Sequence, residues 1–225
     1  MNTTETRPKI SLVIPTMNEA ANIPHVLPNI PDLVDEVVIV DSSTDDTVDV
    51  IRRYRPDAKI IREEPRGKGS ALKTGFKHAT GDLIVMMDAD GSMDPGEIPA
   101  FLDPLLNGHE VAKGSRILGG SEDLTPLRKL GNQCFVAMVN YLYGTEYTDL
   151  CYGYRAFKRE ALNRLETESR GFDVETEQSI LMKKIGLKVC EVPSYERSRR
   201  HGKSNLNTFK DGFLILKRIM KGLRA

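Results

Sequence analysis

The chain has 225 residues, 40% of them hydrophobic, and its 32 basic and 32 acidic side chains give a formal net charge of zero. That length suits one domain with a proper core. The balanced charge, the 6% aromatic content and the lack of Trp exclude a global field or a stacking platform for nucleic acid. Cys134, Cys151 and Cys190 lack metal-binding spacing and read as free thiols of a reducing compartment. The polar MNTTETRPK start lacks the apolar core of a signal peptide, and no run reaches the ~18 apolar residues of a transmembrane helix. The expectation is a cytoplasmic protein, at most peripheral on the cytoplasmic face of a membrane.

Residues 1–8 read as a disordered lead-in. Ile10–Ile14 is a first buried strand, followed by a broken helix over Asn18–Pro31. Glu36–Val40 is a second strand ending at Asp41, and Ser42-Ser43-Thr44-Asp45 signals the N-cap of a helix running to Tyr54. Lys59–Arg62 is a strand, Gly69–Ala79 a helix closed by Gly81, and Asp82–Met87 another strand. This alternation predicts βαβ units and a mainly parallel sheet. A helix follows from Asp94-Pro95-Gly96-Glu97 to about Leu106, then a strand over Val111–Ser115, a polar loop over 117–127 and a helix over Lys129–Leu142. Thr148–Phe157 reads as strand and turn, Arg159–Leu165 as a short helix and Asp173–Ile185 as a helix with early acids. Lys188–Val192 is a late strand, Tyr195–Asn205 a basic loop and Leu206–Leu223 a closing helix.

Chemistry concentrates at GDLIVMMDADGSMDPGE, residues 81–97, where an apolar strand runs abruptly into Asp88-Ala89-Asp90. Carboxylates at i and i+2 share a side of an extended chain, at the sheet edge where α/β proteins bind ligands. Two converging carboxylates repel unless a cation lies between them, and hard oxygen ligands suit Mg²⁺ or Mn²⁺. A strand-capping turn is the plainer reading. An EF-hand loop starting at Asp88 fails, because its glycine position holds Met93 and its final acid position holds Pro99. A phosphoaspartyl phosphatase with Asp88 as nucleophile needs a further acidic pair at a later strand end, and none is evident.

Several stretches together resemble the family 2 glycosyltransferases, and most closely their dolichol- or polyprenol-phosphate mannosyl- and glucosyltransferase branch. They are VIPTMNEAANI (13–23), DEVVIVDSSTDDT (35–47), RGKGSALKTGF (66–76), GDLIVMMDADGSMDP (81–95), KGSRILGG (113–120), DLCYGYRAFKREAL (149–162) and SRRHGKSN (198–205). The resemblance implies an α/β GT-A fold over 9–205. It implies a donor nucleoside held by Pro15, Met17, Glu19 and Asp41, although DSSTDDT is one residue shorter than the usual segment. It places the cation on Asp88 and Asp90, with Ser92 or a water where relatives often carry Gln. Arg116, Arg128 and Arg199, the last in an R-x-x-G-x-S pattern completed by Ser204, become diphosphate or acceptor-phosphate contacts, since guanidinium binds phosphate bidentately. Lys68 also suits a phosphate. Solvated basic loops and helix-start capping by Glu19 are the plainer alternatives.

The expected activity is inverting, metal-dependent transfer of a hexose from GDP-mannose or UDP-glucose to a polyprenyl or dolichyl phosphate. A phosphate nucleophile is already anionic and needs no base. A soluble or carbohydrate hydroxyl acceptor would need one, for which Asp173, Glu175 and Glu177 are candidates, Glu175 foremost. A non-catalytic nucleotide-sugar binder is the remote non-enzyme reading. In the closing segment 206–225, Leu206, Phe209, Phe213, Leu216, Met220 and Leu223 form one stripe flanked by Lys210, Lys217, Arg218, Lys221 and Arg224. This basic amphipathic helix fits a membrane surface or a membrane partner protein, or packs its stripe on the sheet.

Overall fold

The alternating apolar runs assemble into one sheet with helices on both faces. The computed structural model describes residues 7–202 and 207–223. The strands are β1 (Ile10–Thr16), β2 (Glu36–Asp41), β3 (Lys59–Arg62), β4 (Leu83–Met86), β5 (Val111–Ser115), β6 (Arg155–Lys158) and β7 (Val189–Pro193). Their order is β3-β2-β1-β4-β6-β5-β7. The first four strands pair in parallel, β6 runs antiparallel to both β4 and β5, and β7 is parallel to β5.

Both faces of the central strands are apolar because both are covered. Leu12, Ile14, Val37, Ile39 and Val85 pack towards one side, with the helices α1 (Ile23–Val26), α2 (Thr47–Tyr54) and α4 (Ile98–Leu106). Val13, Val38, Ile84 and Met86 pack the other way, with α3 (Lys68–His78), α7 (Arg159–Asn163) and α8 (Val174–Lys184). A satellite core joins α6 (Pro126–Tyr143) to α8 and the closing helix α9 (Thr208–Gly222) through Val136, Val139, Ile180, Ile215 and Ile219. A short helix, α5 (Arg116–Gly119), follows β5. The chain winds from β1 outwards to β3, then returns to place β4 on the other side of β1. The crevice at the β1 and β4 carboxyl ends is therefore a topological switch point.

Several local expectations are corrected. The helix over Asn18–Pro31 is broken as expected, into α1 and one tight turn at Leu27–Asn29; Pro24 fits the first turn of α1, while Pro28 and Pro31 withhold the donors that would continue it. The Ser42–Asp45 cluster does not cap α2 from its predicted start. Ser43 bonds Asp41, Thr44 N–H donates to Asn18 Oδ1 at 2.8 Å, and only Asp45 serves Thr47 N–H, at 3.0 Å. Gly81 is not the cap of α3. It is needed where the chain crosses β1, since a Cβ there would lie 2.7 Å from Ser11 N. The strand expected over Thr148–Phe157 is confined to Arg155–Lys158. Helix α6 starts earlier than Lys129, with Thr125 as N-cap and Pro126 in the first turn.

For the closing helix, of the two expected placements of the stripe, outward or packed on the sheet, the packed one does not hold. Its buried residues are Asp211, Ile215 and Ile219. The expected stripe points outwards, with Phe209 82%, Phe213 67% and Met220 50% exposed. Leu206, Ser204 and Arg224 lie outside the described residues. No described helix is long and apolar enough to cross a membrane.

Candidate active site

A cavity of about 550 Å³ opens at the switch point and runs onwards between α6 and α9. Its inner end is built by the loops that leave β1 and β4, by the N-terminus of α3 and by the first turn of α8. Pro15, Met17, Glu19, Lys68, Asp88, Asp90, Arg116, Arg128, Glu175 and Arg199 all line it, so most of the predicted residues converge. Asp41 does not line it. That carboxylate is fully buried and engaged by Thr16 Oγ1 (2.7 Å), Ser43 Oγ (2.6 Å), Ser43 N (3.1 Å) and Arg62 Nη1 (2.8 Å). It braces the β1–β2 end from behind.

The two aspartates each carry a cationic nitrogen. Lys68 Nζ lies 2.7 Å from Asp88 and 2.8 Å from Glu175, and Arg199 Nη2 lies 3.0 Å from Asp90. Burial alone would lower the Lys68 pKa, but the carboxylates of Asp88 and Glu175 outweigh it and hold the ammonium charged. Burial raises the Asp88 pKa despite Lys68. The acid pair is thus a place where positive charge is stable. Among the described residues no group of three or more His, Cys, Asp or Glu forms a closed metal cage. Two carboxylates completed by waters and substrate phosphates are what Mg²⁺ or Mn²⁺ accepts, so the residues present fit such an ion. Ser92 is buried, and both its hydroxyl (2.6 Å) and its N–H (3.0 Å) donate to Asp90 Oδ1, which orients that carboxylate.

The three arginines differ. Arg116 donates Nε (2.7 Å) and Nη2 (3.0 Å) to Asp149 and Nη1 (3.1 Å) to Glu196, and lies over the Tyr152 ring. Arg199 bridges Glu19 (2.9 Å) and Asp90 across the cavity. Burial raises the Glu19 pKa, even with Asn22 and Arg199 as partners. Among the described residues the Arg128 guanidinium pairs only with Asp123, at 3.5 Å. Beyond Arg128 the lining turns apolar, with Leu124, Leu127, Leu130, Phe135, Phe172 and Ile215.

The glycosyl transferase family 2 model matches residues 11–166. This chain is a family 2 glycosyltransferase. It is 33% identical over 216 residues to a dolichyl-phosphate hexose transferase of Haloferax volcanii, covering 94% of this chain and 92% of that one. It is 32% identical over 211 residues to a dolichol-phosphate mannosyltransferase of Pyrococcus furiosus, covering 88% of this chain and 59% of that protein. Among solved structures, glucosyl-3-phosphoglycerate synthase from Mycobacterium tuberculosis, in complex with Mn²⁺, UDP and glucosyl-3-phosphoglycerate, superposes with a TM-score of 0.77. That match has 25% identity and covers 97% of this chain and 81% of that one. The sheet of this glycosyltransferase is the GT-A fold, and the protein is an enzyme. The phosphoaspartyl and non-catalytic readings of Asp88 fall away with that assignment.

Some residues that shape this glycosyltransferase's site had no role assigned from sequence. Gly153 leaves the space that the Lys68 cluster fills: a Cβ there would lie 2.8 Å from Lys68 Nζ and 3.3 Å from both Asp88 and Glu175. Asp149 is fully buried and anchors Arg116, and the Arg116 guanidinium holds its pKa below the usual range against the opposing effect of burial. Both residues lie in DLCYGYR, which was legible as a motif but not as a division of labour. Asn132 is buried and lines the cavity. Its Oδ1 accepts from Leu150 N (3.2 Å) and Cys151 N (3.3 Å), and its Nδ2 has no partner among the described residues. Beneath them, Lys113 pairs with Glu191 at 2.7 Å, and Arg155 is buried against Gln178, Ser179 and the Leu150 carbonyl. No spacing rule picks out these buried charges.

Proposed function

We propose that this enzyme transfers a hexose from a nucleotide diphosphate sugar, GDP-mannose or UDP-glucose, to a polyprenyl phosphate, with inversion at the anomeric carbon. The observation that carries the reading is one continuous cavity, with the acid pair and cationic side chains at one end and an apolar trough between α6 and α9 at the other. A phosphate head on an apolar chain matches both ends. The relatives from Haloferax volcanii and Pyrococcus furiosus are named for dolichyl-phosphate transfer, and the solved neighbour holds UDP and Mn²⁺. Both support the reading.

The acceptor oxygen is anionic, so no proton has to be removed before it attacks the anomeric carbon as the nucleoside diphosphate departs from the opposite face. The residues' task is to hold two phosphates close together against their repulsion. Lys68 is held at the inner end for the donor diphosphate, with Glu175 fixing its direction. Arg199 gives up Asp90 and Glu19 for a phosphate. Arg128, weakly held, turns to the acceptor head. Arg116 keeps its two carboxylates and supplies a rigid wall. Pro15, Met17 and Glu19 form the nucleoside side, with Asp41 bracing it. Asp88 and Asp90 would hold Mg²⁺ or Mn²⁺, which stabilises the charge growing on the leaving diphosphate.

The outward face of α9 presents Phe209, Phe213, Leu216 and Met220, flanked by Lys210, Lys217 and Lys221. Thr208, Gly212 and Ile215 of the same helix line the cavity. We assign this face to a membrane surface or a membrane partner protein, so that a lipid enters the trough from the bilayer, on its cytoplasmic side. The competing reading is a soluble or carbohydrate hydroxyl acceptor. One observation favours it: the buried Glu175 carboxylate reaches the cavity, where a base would stand.

The test is nucleotide release from GDP-mannose and UDP-glucose with Mg²⁺ or Mn²⁺, each with and without polyprenyl phosphate. Lipid-dependent release is the expected result. Slow hydrolysis that lipid does not accelerate would overturn the acceptor and promote Glu175 to a base.

A further inference from the structure

We infer that Arg218, on the closing helix and outside both the cavity lining and the span of the family model, is a positioning residue for the Lys68–Glu175 pair. The inference holds whichever acceptor the enzyme uses. Arg218 donates Nε to Asp173 Oδ2 at 2.8 Å and Nη1 to Glu177 Oε1 at 2.7 Å, with Glu168 3.7 Å away. Asp173 and Glu177 flank Glu175 by two residues on either side. Residues two apart on a helix point to opposite sides. The first turn of α8 is therefore gripped by Arg218 on one side while Glu175 meets Lys68 at 2.8 Å on the other.

The same two carboxylates organise the segment that presses on Lys68 itself. Glu177 Oε2 accepts Glu168 N (3.0 Å) and Ser169 N (2.7 Å), and Asp173 Oδ1 accepts the Ser169 hydroxyl. That segment lies directly over the glycines flanking Lys68. A Cβ at Gly67 would fall 2.3 Å from the Arg170 carbonyl, and one at Gly69 would fall 2.6 Å from the Ser169 carbonyl. Ser70 N–H donates to the Arg170 carbonyl at 3.4 Å. Gly67 also has φ +100°, so no side chain fits there without strain. Both supports of Lys68, the turn that carries it and the acid that aims it, thus run through Asp173 and Glu177. Both acids are buried, and among the described residues no cation other than Arg218 pairs with either. Without the guanidinium they repel each other out of water, and the turn relaxes. The outward face of α9 is then one helix width from a contact that sets the geometry at Asp88.

The experiment compares Arg218→Gln, Glu175→Gln, their double variant and Arg218→Lys in the full chain. Turnover of UDP-glucose or GDP-mannose is measured together with Mn²⁺ affinity from the paramagnetic resonance of free Mn²⁺. Arg218→Gln is expected to lower kcat about tenfold while the donor KM stays within about threefold, as misplacement of a positioned group does. Arg218→Gln and Glu175→Gln should each weaken Mn²⁺ binding about threefold, because Lys68 released from Glu175 competes on Asp88. The double variant should lose no more than Glu175→Gln alone, since one pathway is cut twice. Arg218→Lys keeps the charge but not the fork and should recover part of the kcat. Losses that multiply in the double variant, or an Arg218→Gln protein within twofold of wild type in kcat and Mn²⁺ affinity, would overturn the inference. If the Gln variant does not fold, the Lys variant decides: wild-type kcat overturns the positioning role, and a partial loss at an unchanged melting temperature supports it. Absence of Mn²⁺ binding in the wild type would refute the metal reading instead, and the kcat–KM comparison would then judge Arg218 alone.

Discussion

Arg116 and Arg199 line the same cavity, and a phosphate-binding role was expected of both, yet they are built into the protein differently. Arg116 follows β5, and its guanidinium nitrogens are spent on the fully buried Asp149 and on Glu196. Arg199 rides a loop and bridges Glu19 and Asp90, two acids from different segments that face the cavity. The first pairing holds the wall together. The second joins two acids that face the cavity, where under the proposed reading a ligand's phosphate would take their place. The difference teaches that a guanidinium's availability is set by who already satisfies it.

The largest expected effect tests the acid pair on which Arg199 leans. Asp90→Ala should abolish metal-dependent turnover, by about a hundredfold or more, since charge stabilisation at the leaving group is lost; assays with Mg²⁺ and with Mn²⁺ check it. On the Arg116 side, Asp149→Asn should destabilise the fold by about 3 kcal/mol, because it strips a buried guanidinium of its main partner. Burial opposes ionisation of Asp149, but its bonds from Arg116 outweigh this, so its folded pKa lies below its unfolded one. Its contribution is therefore complete above about pH 4, the unfolded value, and fades as pH falls through the folded pKa. Urea melts at neutral pH should separate the two proteins, and melts at successively lower pH below about 4 should narrow the gap. Arg199→Ala should weaken use of a phosphorylated acceptor about tenfold while changing stability by no more than about 1 kcal/mol, as for a partly exposed pair. Kinetics beside melting curves would break the comparison if stability fell and kinetics did not. The smallest structural effect is expected at α9. Phe209→Ser with Phe213→Ser should leave stability within about 0.5 kcal/mol and cut co-sedimentation with anionic vesicles; equal sedimentation would remove the lipid role of that face. Deleting α9 is a poorer test, because Ile215 and Ile219 are core.

Much of the fold was legible because buried parallel strands leave uninterrupted apolar runs, and β1, β2 and β4 fall within two residues of expectation. Helix ends were less so. At Asn18–Pro31 the expected breaks fall at Pro28 and Pro31, and of the Ser42–Asp45 cluster only Asp45 serves the start of α2, while Ser43 and Thr44 bond Asp41 and Asn18. In α9 the periodicity was real but left open whether its stripe would be covered: burial there is set by what Ile215 and Ile219 meet on α6 and α8, and hydrophobic spacing cannot name the neighbour.

By itself the sequence determined the α/β class, the D-x-D at a strand end, the family, and many of the charged residues that line the cavity. Each depends on local pattern or on motif order, which the chain states directly. Only the tertiary structure decided which charges are committed and which are exchangeable. It locked Arg116 on Asp149, left Arg199 on the two acids of the cavity, hid Asp41 behind the wall, aimed Lys68 between Asp88 and Glu175 over the vacancy at Gly153, and put Arg218 behind them. Those outcomes depend on distances between residues far apart in the chain, and an ion pair exists only where folding brings its partners within reach.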